Sequence, residues 1–412
     1  MLIIKKKYLI EILIICVEVL SLSGCTKNND GPISGEPIPV TTDKNTYSIA
    51  QGGITDHSNP ATPNSIAWYF KTYGAEKTYL LATSGVNYQV NSTITVPGNS
   101  ALRGKDAEGI FTILAAAGVD KKTMVSLSSG CTLQNLVIDG NREAGNVVAT
   151  GSGVGIQIKN CTIQNSKNDY LDMDGNAYTL LVNANNSTNL LIESCVLKNA
   201  GTNPKINPMT NLSGGYAILM WSAKNAVVKN CDISYTSTCG INHTGSSTVT
   251  ITGNRIANTG LNRQSAGPLA DAITAYHNWN NTAPENFILS NNRITGSNNH
   301  AIHVSGNGIT IENNTIGDYE LSGIMVDDWR SIANGGGAND NEFSQNVTIK
   351  NNKIVDDPKS WVWQPGNSNR KVYVDRVNKN LILDYSVNLD ATGVLLPGST
   401  ANYHFPTLFG VH

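Results

Sequence analysis

Charge is scarce in this 412-residue chain, where Asp, Glu, Lys and Arg together make up 15%, against roughly 25% in ordinary globular proteins. The formal net charge is −2, and beyond the first seven residues Lys and Arg do not cluster. That excludes the basic stripe a nucleic-acid partner requires. No Cys-x-x-Cys spacing occurs among the seven cysteines, so a thiolate metal site is not expected and no metal ligands are assigned. Past residue 25 no apolar run is long enough to span a bilayer. What fills the space is Asn, Ser, Thr and Gly, the residues of turns.

The one long apolar stretch is at the start. Lys5-Lys6-Lys7, an apolar segment from Tyr8 and the run Leu22-Ser23-Gly24-Cys25 read as a bacterial lipoprotein signal. The expectation is removal of 1–24 and lipidation of Cys25, giving an exported monomer anchored in the cell envelope, with 25–48 as its tether. Residues 49–118 read as an N-terminal cap and first coils. Within them, Asn64 to Phe70 suggest a short capped helix covering the first coil, followed by short apolar segments at 86–90, 93–97 and 102–104. Residues 119–357 carry the repeats described next. Pro358 ends the pattern, so 358–412, with a Leu-Ile-Leu strand at 381–383, reads as a C-terminal cap that closes an open sheet edge.

Along the middle one phrase recurs. It reads Ile-Gln-Ile-Lys-Asn-Cys-Thr-Ile at 156–163, Leu-Leu-Ile-Glu-Ser-Cys-Val-Leu at 190–197 and Ala-Val-Val-Lys-Asn-Cys-Asp-Ile at 226–233. It returns at 249–256, 287–294, 309–316 and 347–354, with a weaker copy at 131–138. Anchored on the central apolar residue, the copies fall at 133, 158, 192, 228, 251, 289, 311 and 349, with spacings of 25, 34, 36, 23, 38, 22 and 38. A floor near 22 with variable additions is one short-stranded coil per repeat plus inserted loops. Three residues past the anchor a single slot holds Cys161, Cys195 and Cys231, then Asn254, Asn292, Asn314 and Asn352. Stacked coils turn that slot into a ladder of buried free thiols continuing into a ladder of amides. Parallel stacking is poor geometry for a disulfide.

In this phrase and its turn the chain resembles the pectate-lyase-like right-handed parallel β-helix superfamily, over roughly residues 86–356. The resemblance implies an all-β, right-handed parallel β-helix and action on a polysaccharide or oligosaccharide held in a groove on one sheet. A second phrase locates that sheet: Ala217-Ile218, Gly240-Ile241, Ala272-Ile273, Ala301-Ile302 and Gly323-Ile324. Long insertions gather on its two margins, at 198–215 and 257–270 before the strands and at 278–285 and 328–346 after them. If Ile faces the core, strand alternation turns the small residue before it into a flat groove floor. The same alternation points His243 and Asp271 inward unless the strand has already ended.

Four of the seven histidines, His243, His277, His300 and His303, lie on this sheet or its edge, beside Asp271, Asp327 and Asp328. These seven residues are the candidate catalytic set. Tyr216, Trp221, Asn242, Tyr276, Trp329 and Arg330 are candidate substrate contacts. Asp172-Met173-Asp174-Gly175-Asn176 is a weak calcium-loop candidate without the full ligand set. The leading expectation is a lyase: β-elimination at a uronic acid needs a base, a donor to the leaving oxygen and neutralisation of the carboxylate, tasks that suit His, Tyr and Arg330 or a bound cation. Many lyases of the superfamily use an Arg or Lys base and an acidic calcium cluster, which this chain does not display. A glycoside hydrolase needs two carboxyl groups, and Asp271 with Asp327 or Asp328 is the candidate pair. Val326-Asp327-Asp328 and Asn299-His300-Ala301 are similar to polygalacturonase motifs, but their order is reversed and Asn-Thr-Asp-Gly is missing. A non-catalytic glycan-binding solenoid remains the third reading, because function belongs to the site and not the scaffold.

Replacing Cys25 by Ala should abolish acyl labelling and release the protein from membranes; labelling that survives the substitution would remove the lipoprotein assignment.

Overall fold

The computed structural model describes residues 45–106, 109–117, 123–167, 178–201, 214–261, 270–276, 283–326, 344–355, 370–374, 377–383 and 400–401. Among these, strands of two to seven residues assemble into three parallel sheets of 12, 11 and 10 strands. Each coil contributes one strand to each sheet, and each strand pairs with its counterpart one coil along. No described helix is long and apolar enough to cross a membrane.

The register follows the repeat. In the 12-stranded anchor sheet Leu102 faces Leu133, and the column continues through Ile158, Ile192, Val228, Ile251, Leu289, Ile311 and Ile349 to Leu383. In the 10-stranded sheet, entered after the Asn turn, Ile233, Ile256, Ile294, Ile316 and Ile354 stack likewise. The 11-stranded third sheet carries Ile94, Val125, Val148, Val182, Ile218, Ile241, Ile273, Ile302, Ile324 and Val372. As far as Ile349, Ile354 and Val372 these three columns meet in one continuous core. Each buried aliphatic side chain stabilises the fold by about 1.5–3 kcal/mol relative to exposure. β-Branched residues suit the columns because like packs on like across a pleated surface.

The turn between the anchor and second sheets has two parts. Its first residue takes the left-handed backbone conformation at Asn160, Asn230, Asn291, Asn313 and Asn351, with φ of 50–57°, and at Gly253 with φ 67°. Asn and Gly accept this conformation at low cost. Its second residue is the ladder. Asn254, Asn292 and Asn314 each donate from Nδ2 to Oδ1 of the next Asn, ending on Asn352, at 2.9–3.0 Å. The same oxygens accept the backbone N–H of the preceding rung at 2.9–3.0 Å. The second Nδ2 hydrogen goes to a main-chain carbonyl of the anchor strand one coil back, such as Ile251 from Asn292 at 2.9 Å. Cys161, Cys195 and Cys231 continue the slot as buried free thiols. Hydrogen bonding to Cys161 heads the causes that push the Cys195 thiol up to about 12.

The predicted helical cap spans Ile66–Tyr73, with the Ser65 hydroxyl accepting from the Trp68 N–H at 3.0 Å. Two boundaries move. Thr46–Ile49 pairs with Thr78–Leu81, so the sheet begins inside the segment read as a tether. At the other end Arg370–Val374 pairs with Ser322–Val326, and Val377–Leu383 with Ser344–Lys350. The 381–383 strand therefore extends the anchor sheet past Pro358, because it keeps the aliphatic alternation that the column needs.

Asn292→Leu should remove the acceptor used by Asn254 and the donor used by Ile251 and Asn314, costing on the order of 1–3 kcal/mol for each buried group left unpaired. A denaturant midpoint equal to that of the parent protein would contradict a buried ladder.

Candidate active site

The third sheet departs from simple strand alternation. Ala217, Ala272 and Ala301 lie in the main core together with the Ile that follows each of them. The expected groove floor of small residues is therefore an inward-facing corner. The reason is close approach: a Cβ on Gly240 would stand 2.6 Å from the Ala272 carbonyl oxygen. Two successive inward residues reset the alternation, so the position two before each Ile turns outward again. That position holds Tyr216, Cys239, Asp271, His300 and Ser322 in successive coils. Asp271 thus reaches the outer face, because its strand begins only at Ile273. His243 keeps the inward direction that alternation predicts. It is fully buried with its ring 4.8 Å from that of Phe287, and burial lowers its pKa to about 3. Neither ring nitrogen of His243 has a hydrogen-bond partner among the described residues. It is a neutral core residue, and its place in the catalytic set is withdrawn.

On the outer face Asp271, Tyr276, His300 and His303 converge. Asp271 Oδ1 accepts from Asn299 Nδ2 at 2.7 Å and from the His300 backbone N–H at 3.0 Å. Its Oδ2 accepts from the Thr274 hydroxyl at 3.0 Å and from the Tyr276 hydroxyl at 3.3 Å, and lies 3.3 Å from His303 Nδ1. The Tyr276 hydroxyl also hydrogen-bonds His303 Nδ1. His303 sits directly across from Thr274 in the neighbouring coil. The His300 and His303 rings meet edge to face at 4.6 Å, and His300 Nδ1 pairs with the Ser322 hydroxyl at 2.5 Å.

The setting is buried, not an open trough. Thr274 is 0%, Tyr276 and His303 3% and His300 9% exposed, whereas the outer-facing Ile288 of the anchor sheet is 41% exposed. Over the three preceding coils Leu180, Tyr216, Leu219 and Cys239 form a separate apolar patch, which meets the cluster through Cys239 and Thr274. Burial first, and then the Asp271 carboxylate, push the Cys239 thiol up.

Of the other candidates, Asn242 is occupied locally, its Oδ1 accepting from the Thr244 N–H and hydroxyl at 3.1 and 2.5 Å. Trp221 is half-buried, just past the Gly214–Leu219 strand. His277, Asp327, Asp328, Trp329 and Arg330, the 172–176 calcium candidate and Cys25 lie outside the described residues. Thr274, Asn299 and Ser322 were not in the candidate set. The repeated small-Ile pair was the signal for them, since two core-sized inward residues in a row fix which neighbours turn out.

The family profile described as right handed beta helix region matches residues 124–283 and 216–394. No curated protein sequence matches the chain. Among solved structures, a mutant tailspike protein of E. coli bacteriophage HK620 in complex with a pentasaccharide superposes with a TM-score of 0.54 at 11% identity, covering 85% of this chain. The chain spans 62% of that tailspike. Polygalacturonase from Erwinia carotovora ssp. carotovora superposes with a TM-score of 0.50 at 11% identity, covering 89% of this chain and 100% of its own. At such identities the likeness is one of fold.

His243 also generates a pH dependence. In the unfolded chain it takes up a proton near pH 6.5, but in the fold only near pH 3. Its contribution is therefore complete above about pH 6.5 and is lost as the pH falls toward 3. Between pH 7 and pH 5 the loss is about 2 kcal/mol. Urea unfolding of His243→Leu should show a shallower acid decline than the parent protein by about that amount, and equal declines would mean that His243 is hydrated or paired.

Proposed function

The chain belongs to the right-handed β-helix family, and on that premise we propose that it is an exported, Cys25-anchored polysaccharide lyase whose active site is the cluster around Asp271. The observation that carries the reading is the hydrogen-bonded set Asp271–Tyr276–His303, in which a general base and a proton donor touch each other and share one orienting carboxylate. Both oxygens of Asp271 already accept hydrogen bonds, so it holds its neighbours in place in preference to transferring a proton itself.

In β-elimination the C5 hydrogen of a uronic acid leaves as a proton, the electrons form the C4–C5 double bond, and the C4–oxygen bond breaks. His303 takes the C5 proton at Nε2 while its Nδ1–H faces the phenol oxygen. Tyr276 gives its hydroxyl proton to the leaving oxygen, and the imidazolium then returns a proton to the phenolate across their hydrogen bond. The phenol is thereby restored and His303 is left neutral with its proton on Nε2, and exchange with solvent water returns that proton to Nδ1 before the next turnover. His and Tyr serve this chemistry near neutral pH because their ordinary pKa values lie on either side of it. The two rings meet edge to face at 4.7 Å, which holds the hydroxyl against the imidazole.

A panel of uronic-acid and neutral polysaccharides, read by ultraviolet absorbance of unsaturated products and by new reducing ends, tests the reading. The expected result is both signals together on a uronic-acid polymer, with His303→Ala and Tyr276→Phe each slowing turnover by about 10²–10⁴-fold. Reducing ends without absorbance would make the protein a hydrolase, and binding without either signal would make it a glycan-binding solenoid.

A further inference from the structure

Asp271, His300 and His303 each offer a ligand atom, and these three atoms all lie within 4.8 Å of one another on buried side chains. We propose that they form a binding site for a first-row divalent transition-metal cation of the zinc type. The site goes beyond the elimination chemistry above and does not depend on it.

Geometry is the first argument. A tetrahedral ion about 2.1 Å from each ligand separates the ligands by about 3.4 Å. Asp271 Oδ2 lies 3.3 Å from His303 Nδ1, close to that separation, so an ion can bridge them with little movement. The Tyr276 hydroxyl, hydrogen-bonded to His303 Nδ1, stands too close to that nitrogen to share the ion and moves aside on loading. Ligand type is the second argument: two imidazole nitrogens and one carboxylate oxygen select a borderline transition metal, whereas calcium and magnesium require an oxygen shell.

Charge is the third argument. Asp271 is fully buried, and among the described residues its partners are two hydroxyls, an amide, a backbone N–H and His303. Of these, only His303 can carry a positive charge. A buried carboxylate in such company favours a cation within reach. The supporting contacts are those of a built site. Asn299 and the His300 N–H hold Oδ1, which directs Oδ2 toward the histidines, and Ser322 holds Nδ1 of His300 and so presents Nε2. A bound cation occupies the Asp271 oxygen that Thr274 and Tyr276 share, so metal loading and the hydrogen-bonded relay are alternative states of one cluster.

The test is titration of the chelator-stripped, full-length protein with Co2+ and then Zn2+, read by visible absorption and calorimetry without any polysaccharide. The expected result is one Co2+ per chain with the intense visible bands of tetrahedral coordination, displaced by Zn2+. His300→Ala should abolish the bands. Ser322→Ala, which leaves all three ligands in place, should weaken affinity by about 10–100-fold, with circular dichroism confirming that each variant is folded. Absence of the bands in the parent protein, or bands of equal strength and affinity in both folded variants, would overturn the proposal. Since no glycan enters the measurement, its failure leaves the elimination reading untouched, and failure of the polysaccharide panel leaves the metal site untouched.

Discussion

A turn that points its main chain into the core needs a partner for every N–H and carbonyl it buries, and here that partner is supplied by the next coil. Asn292 illustrates the economy of the arrangement. Its Oδ1 accepts two hydrogen bonds from Asn254, and its Nδ2 donates to Asn314 and to the Ile251 carbonyl. One side chain thereby joins three coils. Because the bonding is side chain to identical side chain, it works only when the coils stand in register. The register in turn aligns Ile on Ile in all three sheets. Thiols in the earlier rungs fill the same volume but make longer contacts to carbonyls, as from Cys231 Sγ to Ile192 at 3.8 Å. The amide half of the ladder is therefore the more firmly bonded half, and it is the half beside the Asp271 cluster.

The cluster inherits its geometry from that scaffold. Asp271, His300 and Ser322 occupy equivalent places in three consecutive coils, tied by the backbone hydrogen bonds from Ala272 to His300 and from Ala301 to Ser322. Tyr276 and His303 come from neighbouring coils, and Thr274, in register with His303, also donates to the Asp271 carboxylate. No single stretch of chain contains the site. Stacking of the coils brings these groups within hydrogen-bonding distance of one another.

Much of this was legible in the sequence. All eight anchors stack as the repeat phrase placed them, and the left-handed Asn before the rungs Asn292, Asn314 and Asn352 was marked by the Asn-Asn pair. The outer face was harder to read. Alternation assumes a regular strand, and the inward pairs Ala272-Ile273 and Ala301-Ile302 break it at the corner, so Asp271, outside its strand, turns outward by the exception that alternation left open. Burial was also misjudged, since strand parity reports direction and not cover: Thr274 and His303 face outward, yet both are enclosed. His243 was the reverse case. Its residue type suggested chemistry, but its place in a column with Met220, Ala275 and Val304 makes it part of the core.

The central claim is that the outer face of the third sheet, at the coils carrying Asp271, His300 and Ser322, receives the glycan. The most direct measurement is a crystal structure of the Tyr276→Phe protein soaked with a uronic-acid oligosaccharide that the parent protein degrades. The account predicts a sugar ring against this face with its C5 hydrogen directed at His303. An oligosaccharide bound on the anchor sheet or the second sheet, with the Asp271 cluster unvisited, would contradict it.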